Sequence, residues 1–417
     1  MFRNFLKKYS SRYYHDYLDS FLSFLVPENK KVIKFEPEIK SGPKEQYDYA
    51  VISDVLSYVY DIQDYLIKTQ SFIKENGRMV ITQYNSLWEP ILRLASKIGL
   101  RHTLRIEQNW LSMHDLRNFA HLADLDVVKS GTKMIMPVYI PLASSFLNRL
   151  IANIFPFSRL GIFHYIVVRK QKSLNFPILP SLSIIVPARN EVGTIEKIAR
   201  ELPNLGSFTE IIFIEGHSSD NTLAEIKKVA SLYKNRKIKY TIQNGKGKGD
   251  AVRKGFDMAN GDILTIYDAD MTVPAEEIRG FYECLVNNSG DFINGSRLVY
   301  PMEKQSMKIL NVLGNKFFSF AFGAILGQPL KDTLCGTKVL WRRDYEDIKN
   351  NRKFFGDFDP FGDFDLLFGA AKLNLKIVDM PVHYKERKYG KTNISRWKHG
   401  WLLLKMTIFA ARKIRFI

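Results

Sequence analysis

Asp268-Ala269-Asp270 follows directly on the apolar run Ile263-Leu264-Thr265-Ile266-Tyr267 and precedes Met271-Thr272-Val273-Pro274. A run this apolar, entered at Gly261-Asp262 and left at a proline, reads as a buried strand. Carboxylates two positions apart at its end share a face, because strand side chains alternate with period two. Left bare they would repel, and one would tend to take up a proton. Hard oxygen ligands suit Mg²⁺ or Mn²⁺ bridging to a phosphate, so Asp268 and Asp270 are candidate metal ligands. The chemistry expected is metal-assisted departure of a nucleoside diphosphate. Taken alone, the three residues also fit a solvated acidic turn.

The elements around this pair argue against an isolated turn. From Leu182 onward strand-like and helix-like segments alternate: Leu182 to Val186 strand, Thr194 to Leu202 helix, Glu210 to Glu215 strand, Thr222 to Tyr233 helix. Ile238 to Ile242 then reads as strand, Ala251 to Ala259 as helix and Ile263 to Tyr267 as strand. Such a series implies an α/β fold with a mainly parallel, helix-covered sheet that binds ligands at the carboxyl ends of its strands. Polar clusters fall at those ends. The first strand delivers Pro187-Ala188-Arg189-Asn190-Glu191, the second Glu215-Gly216-His217-Ser218-Ser219-Asp220-Asn221-Thr222, and the fourth the aspartate pair. Three polar loops along one sheet edge make a nucleotide pocket.

These motifs, followed by Asn294-Gly295-Ser296-Arg297, resemble a family 2 glycosyltransferase of GT-A fold, most of all the dolichol- and polyprenyl-phosphate sugar transferases. The resemblance covers roughly Leu182 to Asn393. It implies a nucleotide-sugar donor, a divalent metal and inverting transfer by direct displacement. It places Pro187, Arg189, Glu191 and Glu215 around the donor nucleotide. Asp268, Ala269 and Asp270 would lie at its diphosphate, with Arg297 and Arg387 against phosphate or sugar. Arg297 also fits a surface salt bridge. The pattern departs from the family in Glu215-Gly216 where Asp-Asp is usual, in Thr272 where Gln is frequent, and in Asn393 where the signature has lysine. Lys391 could replace that lost charge.

Two further segments resemble the family's acceptor side. Lys331-Asp332-Thr333-Leu334-Cys335-Gly336-Thr337-Lys338 carries a D-x-x-x-G pattern, with Cys335 read as a small buried residue. Asp363 and Asp365 stand at the start of a helix running to Lys372. Carboxylates there can simply complement the helix dipole. The resemblance makes them candidate general bases for an acceptor hydroxyl, Asp365 ahead of Asp363, whereas a phosphate acceptor is already anionic and needs none. Gly245-Lys246-Gly247-Lys248-Gly249 lacks the Walker A spacing. It reads either as a flexible basic turn or as a loop whose amides and lysines touch diphosphate.

Composition sets the outer limits. A chain of 417 residues, 46% apolar and 25% charged, has room for two or three ordinary globular domains. Two cysteines exclude a disulfide scaffold or a Cys-rich zinc site and fit a reducing cytoplasm. The opening Met1-Phe2-Arg3-Asn4-Phe5-Leu6-Lys7-Lys8 shows no secretory pattern. No segment reaches the roughly 20 apolar residues needed to span a bilayer. A formal charge of +18 seeks an anionic partner. Phe317 to Leu326 is apolar almost all round, and Ile394 to Ile417 mixes Trp397, Trp401 and Phe409 with basic residues, as an interfacial helix does. Peripheral attachment at the cytoplasmic membrane face is expected, with nucleic acid not the expected partner.

The amino-terminal region reads as a smaller, truncated Rossmann-like α/β domain. Its strand candidates Tyr49 to Ile52 and Gly77 to Thr82, with helices Ile62 to Ile73 and Ser112 to Leu122, resemble the second half of a class I methyltransferase. The first-strand candidate, Lys31 to Phe35, is not followed by a glycine-rich cofactor loop. The expected organisation is 1–170 methyltransferase-like without a cofactor site, 171–180 linker, 181–393 transferase, and 394–417 basic amphipathic helix. The leading reading is metal-dependent transfer of a sugar to a polyprenyl phosphate or membrane-linked glycan. An active methyltransferase partner domain, nucleotidyl transfer, and a non-catalytic basic module for lipid or nucleic acid are the alternatives.

Overall fold

The computed structural model describes residues 2–39, 42, 45–99, 101, 107, 109–171, 175–301, 309–354, 364–387, 389 and 396–416. The chain divides into two compact units: Met1–Lys172 with Lys372–Asn374 and Arg412–Ile417, and Ser173–Ala371 with Leu375–Ala411.

The first unit opens with α1 (Phe2–Leu25), β1 (Val32–Lys34) and β2 (Tyr47–Ser53). Next come α2 (Ile62–Gln70), β3 (Ile73–Tyr84), α3 (Glu89–Lys97) and α4 (Met113–Leu122). It closes with β4 (Leu125–Lys133), α5 (Ala143–Arg149) and β5 (Phe163–Lys170). The sheet order is β1-β2-β3-β5-β4. β1, β2 and β3 run parallel, while β5 lies antiparallel to both β3 and β4. Period-two alternation splits the strands between two cores. Ala50, Ile52, Met79 and Ile81 pack with Leu66 of α2 and Leu116 of α4. On the other face Tyr49, Val51 and Val80 meet Leu18, Phe21, Leu22 and Leu25, a one-sided stripe on α1. Burial on both faces explains the apolar runs Tyr49 to Ile52 in β2 and Met79 to Ile81 in β3. Ser112 starts α4 with a reciprocal capping box to Asp115.

The second unit runs β6 (Leu182–Ala188), α6 (Ile195–Glu201), β7 (Thr209–Glu215), α7 (Thr222–Leu232) and β8 (Lys237–Ile242). It continues with α8 (Lys248–Met258), β9 (Ile263–Ile266), α9 (Ile278–Val286), β10 (Phe292–Ser296) and α10 (Ile309–Leu326). β11 (Lys338–Trp341), α11 (Arg342–Asn350), α12 (Phe364–Lys372), β12 (Ile377–Pro381) and α13 (Arg396–Ala410) complete it. Seven strands lie in the order β12-β10-β11-β9-β6-β7-β8. Only β11 reverses, pairing antiparallel with β9 and β10; the other pairs are parallel. This mainly parallel, helix-flanked sheet agrees with the fold class expected from the sequence.

The strand entries are locked by a polar network. Glu210 accepts from Ser183 Oγ at 2.6 Å and from the Asn260 amide at 2.6 Å, and pairs with Lys239 at 2.8 Å. Side-chain contacts thereby tie β7 to β6, β8 and the approach to β9. Helix α8 lies close on β6 because Gly255 has no side chain; a Cβ there would stand 2.4 Å from Ile185 Cγ2. With entries and helix fixed, the strand exits present their loops at one edge. Among the described residues no helix is long and apolar enough to cross a membrane.

Candidate active site

Register brings the three polar loops together. Ala188, the last residue of β6, pairs with Glu215, the last of β7, and the Gly216 amide donates to the Ala188 carbonyl at 2.8 Å. On the other side of β6 the Tyr267 amide donates to the Ile185 carbonyl at 2.9 Å, which fixes the exit of β9 beside that of β6. β9 itself ends at Ile266, so Asp268, Ala269 and Asp270 sit in a turn beyond it. Period-two alternation therefore does not set their direction. The turn does: Asp270 Oδ1 accepts from the Thr272 amide at 3.2 Å and its hydroxyl at 2.9 Å, and Met271 takes a positive φ of 52°.

Two basic side chains neutralise the pair. Lys248 Nζ, in the first turn of α8, lies 2.7 Å from Asp268 Oδ1. Arg387 reaches from the segment after β12 and bridges two acids, Glu191 Oε1 at 2.8 Å and Asp270 Oδ2 at 3.2 Å. Burial works to raise the Asp268 pKa, yet the charge and hydrogen bond of Lys248, with Lys338 and Arg297 behind them, bring it below the usual carboxylate range. Burial pushes Glu191 the other way, up to about 7, with Arg387 opposing and Asp270, Asp220 and Asp268 assisting. One oxygen of Glu191, Oε2, is buried with no hydrogen-bond partner among the described residues.

That shift carries a sign. A carboxyl whose folded pKa is raised contributes stability that is complete below its unfolded value and is lost as pH rises through about 7. The thermal midpoint of Glu191→Gln relative to wild type is therefore expected to shift in favour of the variant between pH 5.5 and pH 8.5. Paired melts at the two pH values check this, and a constant gap would contradict it.

The other expected residues occupy distinct places. Pro187 is half-buried within β6 and Arg189 is exposed just after it. Glu215 is buried and accepts from the Ser218 amide at 2.6 Å, so it shapes its own turn. Ala269 is buried in the core. Arg297 meets Asp332 through Nε at 2.7 Å and Nη2 at 2.9 Å, and lies over the Tyr384 ring at 5.2 Å. Asp365 is buried at the start of α12, 3.3 Å from Arg352 Nε and 3.9 Å from Arg253. Asp363, Lys391 and Asn393 lie outside the described residues. Lys248 and Arg253 both belong to α8, five residues apart, so about 7–8 Å of helix rise separates the partner of Asp268 from that of Asp365.

Three contributors carry weak sequence signals. Lys248 was one of several lysines in a glycine-rich turn until the fold chose it. Asp332 is wholly buried and orients Arg297. Gly336 passes so close that a Cβ would stand 2.0 Å from Asp268 Oδ2 and 2.3 Å from Lys248 Nζ. A Cβ there fits only if both side chains shift. Gly336→Ala is expected to displace the aspartate and lysine and cut turnover about 10²-fold. Initial rates alongside a melting curve check this; full activity would show that the crowding relaxes freely. Neighbouring Cys335 is buried, and burial pushes its thiol up to about 11, which leaves no thiolate for nucleophilic chemistry.

Residues 183–349 match the family model for glycosyl transferase family 2. A dolichol-phosphate mannosyltransferase of Pyrococcus furiosus is 33% identical over 254 residues, covering 56% of this chain and 67% of its own. The glycosyltransferase AglJ of Haloferax volcanii is 27% identical over 229 residues, 54% of this chain and 71% of the relative. A UDP-N-acetylglucosamine–dolichyl-phosphate N-acetylglucosaminyltransferase of Methanococcus voltae is 27% identical over 170 residues, 37% of this chain and 67% of the relative. Other relatives are covered over as little as 24% of their length. On these matches the chain belongs to glycosyl transferase family 2, and it is a glycosyltransferase.

Proposed function

We propose that this enzyme moves a hexosyl group, with inversion, from a nucleotide-sugar donor to a polyprenyl phosphate or a membrane-linked glycan. The observation that carries the reading is the meeting of Glu191, Arg387, Asp270, Asp268 and Lys248 at the exits of β6 and β9. Relatives named for dolichol-phosphate mannose transfer and for UDP-N-acetylglucosamine transfer to dolichyl phosphate support donor and acceptor class.

The donor set fits a divalent cation. Asp268 and Asp270 offer hard carboxylate oxygens, and no larger His/Cys/Asp/Glu group occurs among the described residues. One or two carboxylates plus substrate phosphate is a usual arrangement for Mg²⁺. In this reading Asp268 and Asp270 hold Mg²⁺ or Mn²⁺, which when bound neutralises charge on the departing diphosphate. Lys248 and Arg387 are then available to diphosphate oxygens. Pro187, Arg189, Glu191 and Glu215 shape the nucleotide pocket, and Arg297, held by Asp332, adds positive charge beside Asp268. Asp365, with Asp363, serves as base when the acceptor is a hydroxyl.

The remaining units take supporting parts. An antiparallel β5 between β3 and β4 supports reading the first unit as the later half of a methyltransferase-like sheet. Exposed Phe317 and Phe320 on α10 and Trp401 on α13, with Lys405 5.7 Å from the Trp401 ring, support peripheral attachment at the cytoplasmic membrane face. A panel of nucleotide sugars, incubated with Mn²⁺ and then with polyprenyl phosphate, tests the whole reading. Nucleoside diphosphate release from a restricted set of donors, with sugar appearing on the lipid, is expected. Donor binding without release under every acceptor would sink it.

A further inference from the structure

Helix α3 has no buried residue, although its apolar positions form a stripe. Ile91, Leu94 and Ile98 recur three and four residues apart and all face solvent, Leu94 at 58% exposure. An amphipathic helix ordinarily turns such a stripe toward a core. Here the core of the unit is already closed by α1 on one face and by α2 and α4 on the other. The stripe is therefore surplus to folding.

It continues into a second segment. Trp88, at the head of α3, donates from Nε1 to the Leu160 carbonyl at 2.8 Å. That links the helix to the stretch from Leu142 to Leu160, which is also apolar on its outside: Leu142 is 88% exposed, Phe155 70%, and Phe146 more than half. Soluble surfaces rarely expose large apolar side chains in such a cluster without a partner.

Charge selects the partner. No acidic residue occurs between Asp126 and Glu191, so the Leu142 to Leu160 stretch carries Arg149 and Arg159 with no carboxylate at all. Arg159 stands 5.1 Å from the Phe155 ring, a cation held against an aromatic that faces outward. On α3, Arg93 and Lys97 face a single acid, Glu89. Exposed Leu, Ile and Phe fringed by arginine and lysine, with Glu89 the one acid of the two segments, match an anionic lipid surface, where apolar groups enter the headgroup boundary and basic ones meet phosphate.

We propose that the first unit binds anionic membrane through α3 and the Leu142–Leu160 segment. The residues it names are not those of the attachment proposed for α10 and α13, and it stands or falls independently of donor and acceptor. Flotation of the full chain with phosphatidylglycerol-containing vesicles at low salt tests it. Leu94→Glu/Phe155→Glu is expected to lower the bound fraction at least fivefold at unchanged donor hydrolysis and thermal midpoint. Leu142→Ser/Phe146→Ser is a second variant that adds no charge, and it is expected to lower binding in the same direction. Phe320→Glu/Trp401→Ser, which disables only the other surface, is expected to leave vesicle binding that Leu94→Glu/Phe155→Glu then removes. Wild-type flotation by both first-unit variants would overturn the proposal. So would a wild-type dimer that both variants convert to monomer without any vesicle binding, since a second copy would then cover the face.

Discussion

Asp270→Ala is expected to lower nucleotide-sugar turnover by about 10²–10³-fold, the usual cost of removing one preorganised group that acts on transition-state charge. The carboxylate is shared between the Thr272 hydroxyl and Arg387, so its loss also removes one of the two acids that Arg387 bridges. Asp270→Asn separates the two effects. It keeps the Thr272 contact and removes the charge, so a loss nearly as deep as that of alanine identifies charge as what matters. Rates with saturating and with limiting Mn²⁺ complete the measurement. Activity at wild-type level in both variants would leave the aspartate turn without a chemical role.

The largest stability effect is expected at Arg297. Its partner Asp332 is wholly buried and receives Nε, Nη2 and the amide of Arg297, the Asn315 side-chain amide and the Leu334 amide. Burial works against the Asp332 charge, but Arg297 and these hydrogen bonds hold its carboxyl well below the usual range. Arg297→Ala strands that charge, at a cost of about 3–5 kcal/mol. Chemical denaturation measures it directly. Arg297→Met/Asp332→Leu, which removes both charges at similar volume, is expected to recover much of the loss. A depressed carboxyl contributes stability that is present above its unfolded pKa and is lost as pH falls. The deficit of Arg297→Ala relative to wild type should accordingly shrink in acid.

Much of this architecture is written locally. Leu182, Ile184 and Ile185 declare a strand by their own composition, and the observed β6, β7 and β9 begin within a residue of where the pattern places them. Ser112 and Asp115 mark the start of α4 with equal clarity. Pairing order is not local. Nothing in Lys338-Val339-Leu340-Trp341 says that it runs antiparallel between β9 and β10, because a short, mostly apolar run looks the same in either direction. The same limit governs the site. The aspartates could be found by type and spacing, and Arg387 and the Lys248 loop by resemblance, but not which acid each would meet: Lys248 is twenty residues from Asp268, and Arg387 is 117 from Asp270. Gly336 was legible as the glycine of a D-x-x-x-G pattern, but its place against Asp268 and Lys248 was not.

The reversed strand has a consequence for how such a rim can change. Parallel neighbours contribute what comes after them, but β11 contributes what comes before it, so Gly336 enters from behind and faces the aspartate turn. Lengthening the chain ahead of β11 would redraw the far wall of the cleft and leave every ladder bond intact. Lengthening it after β9 would carry the acids themselves away. The bank ahead of β11 thus admits change only where Asp332 and Gly336 keep their places, and the bank after β9 admits none that moves the acids.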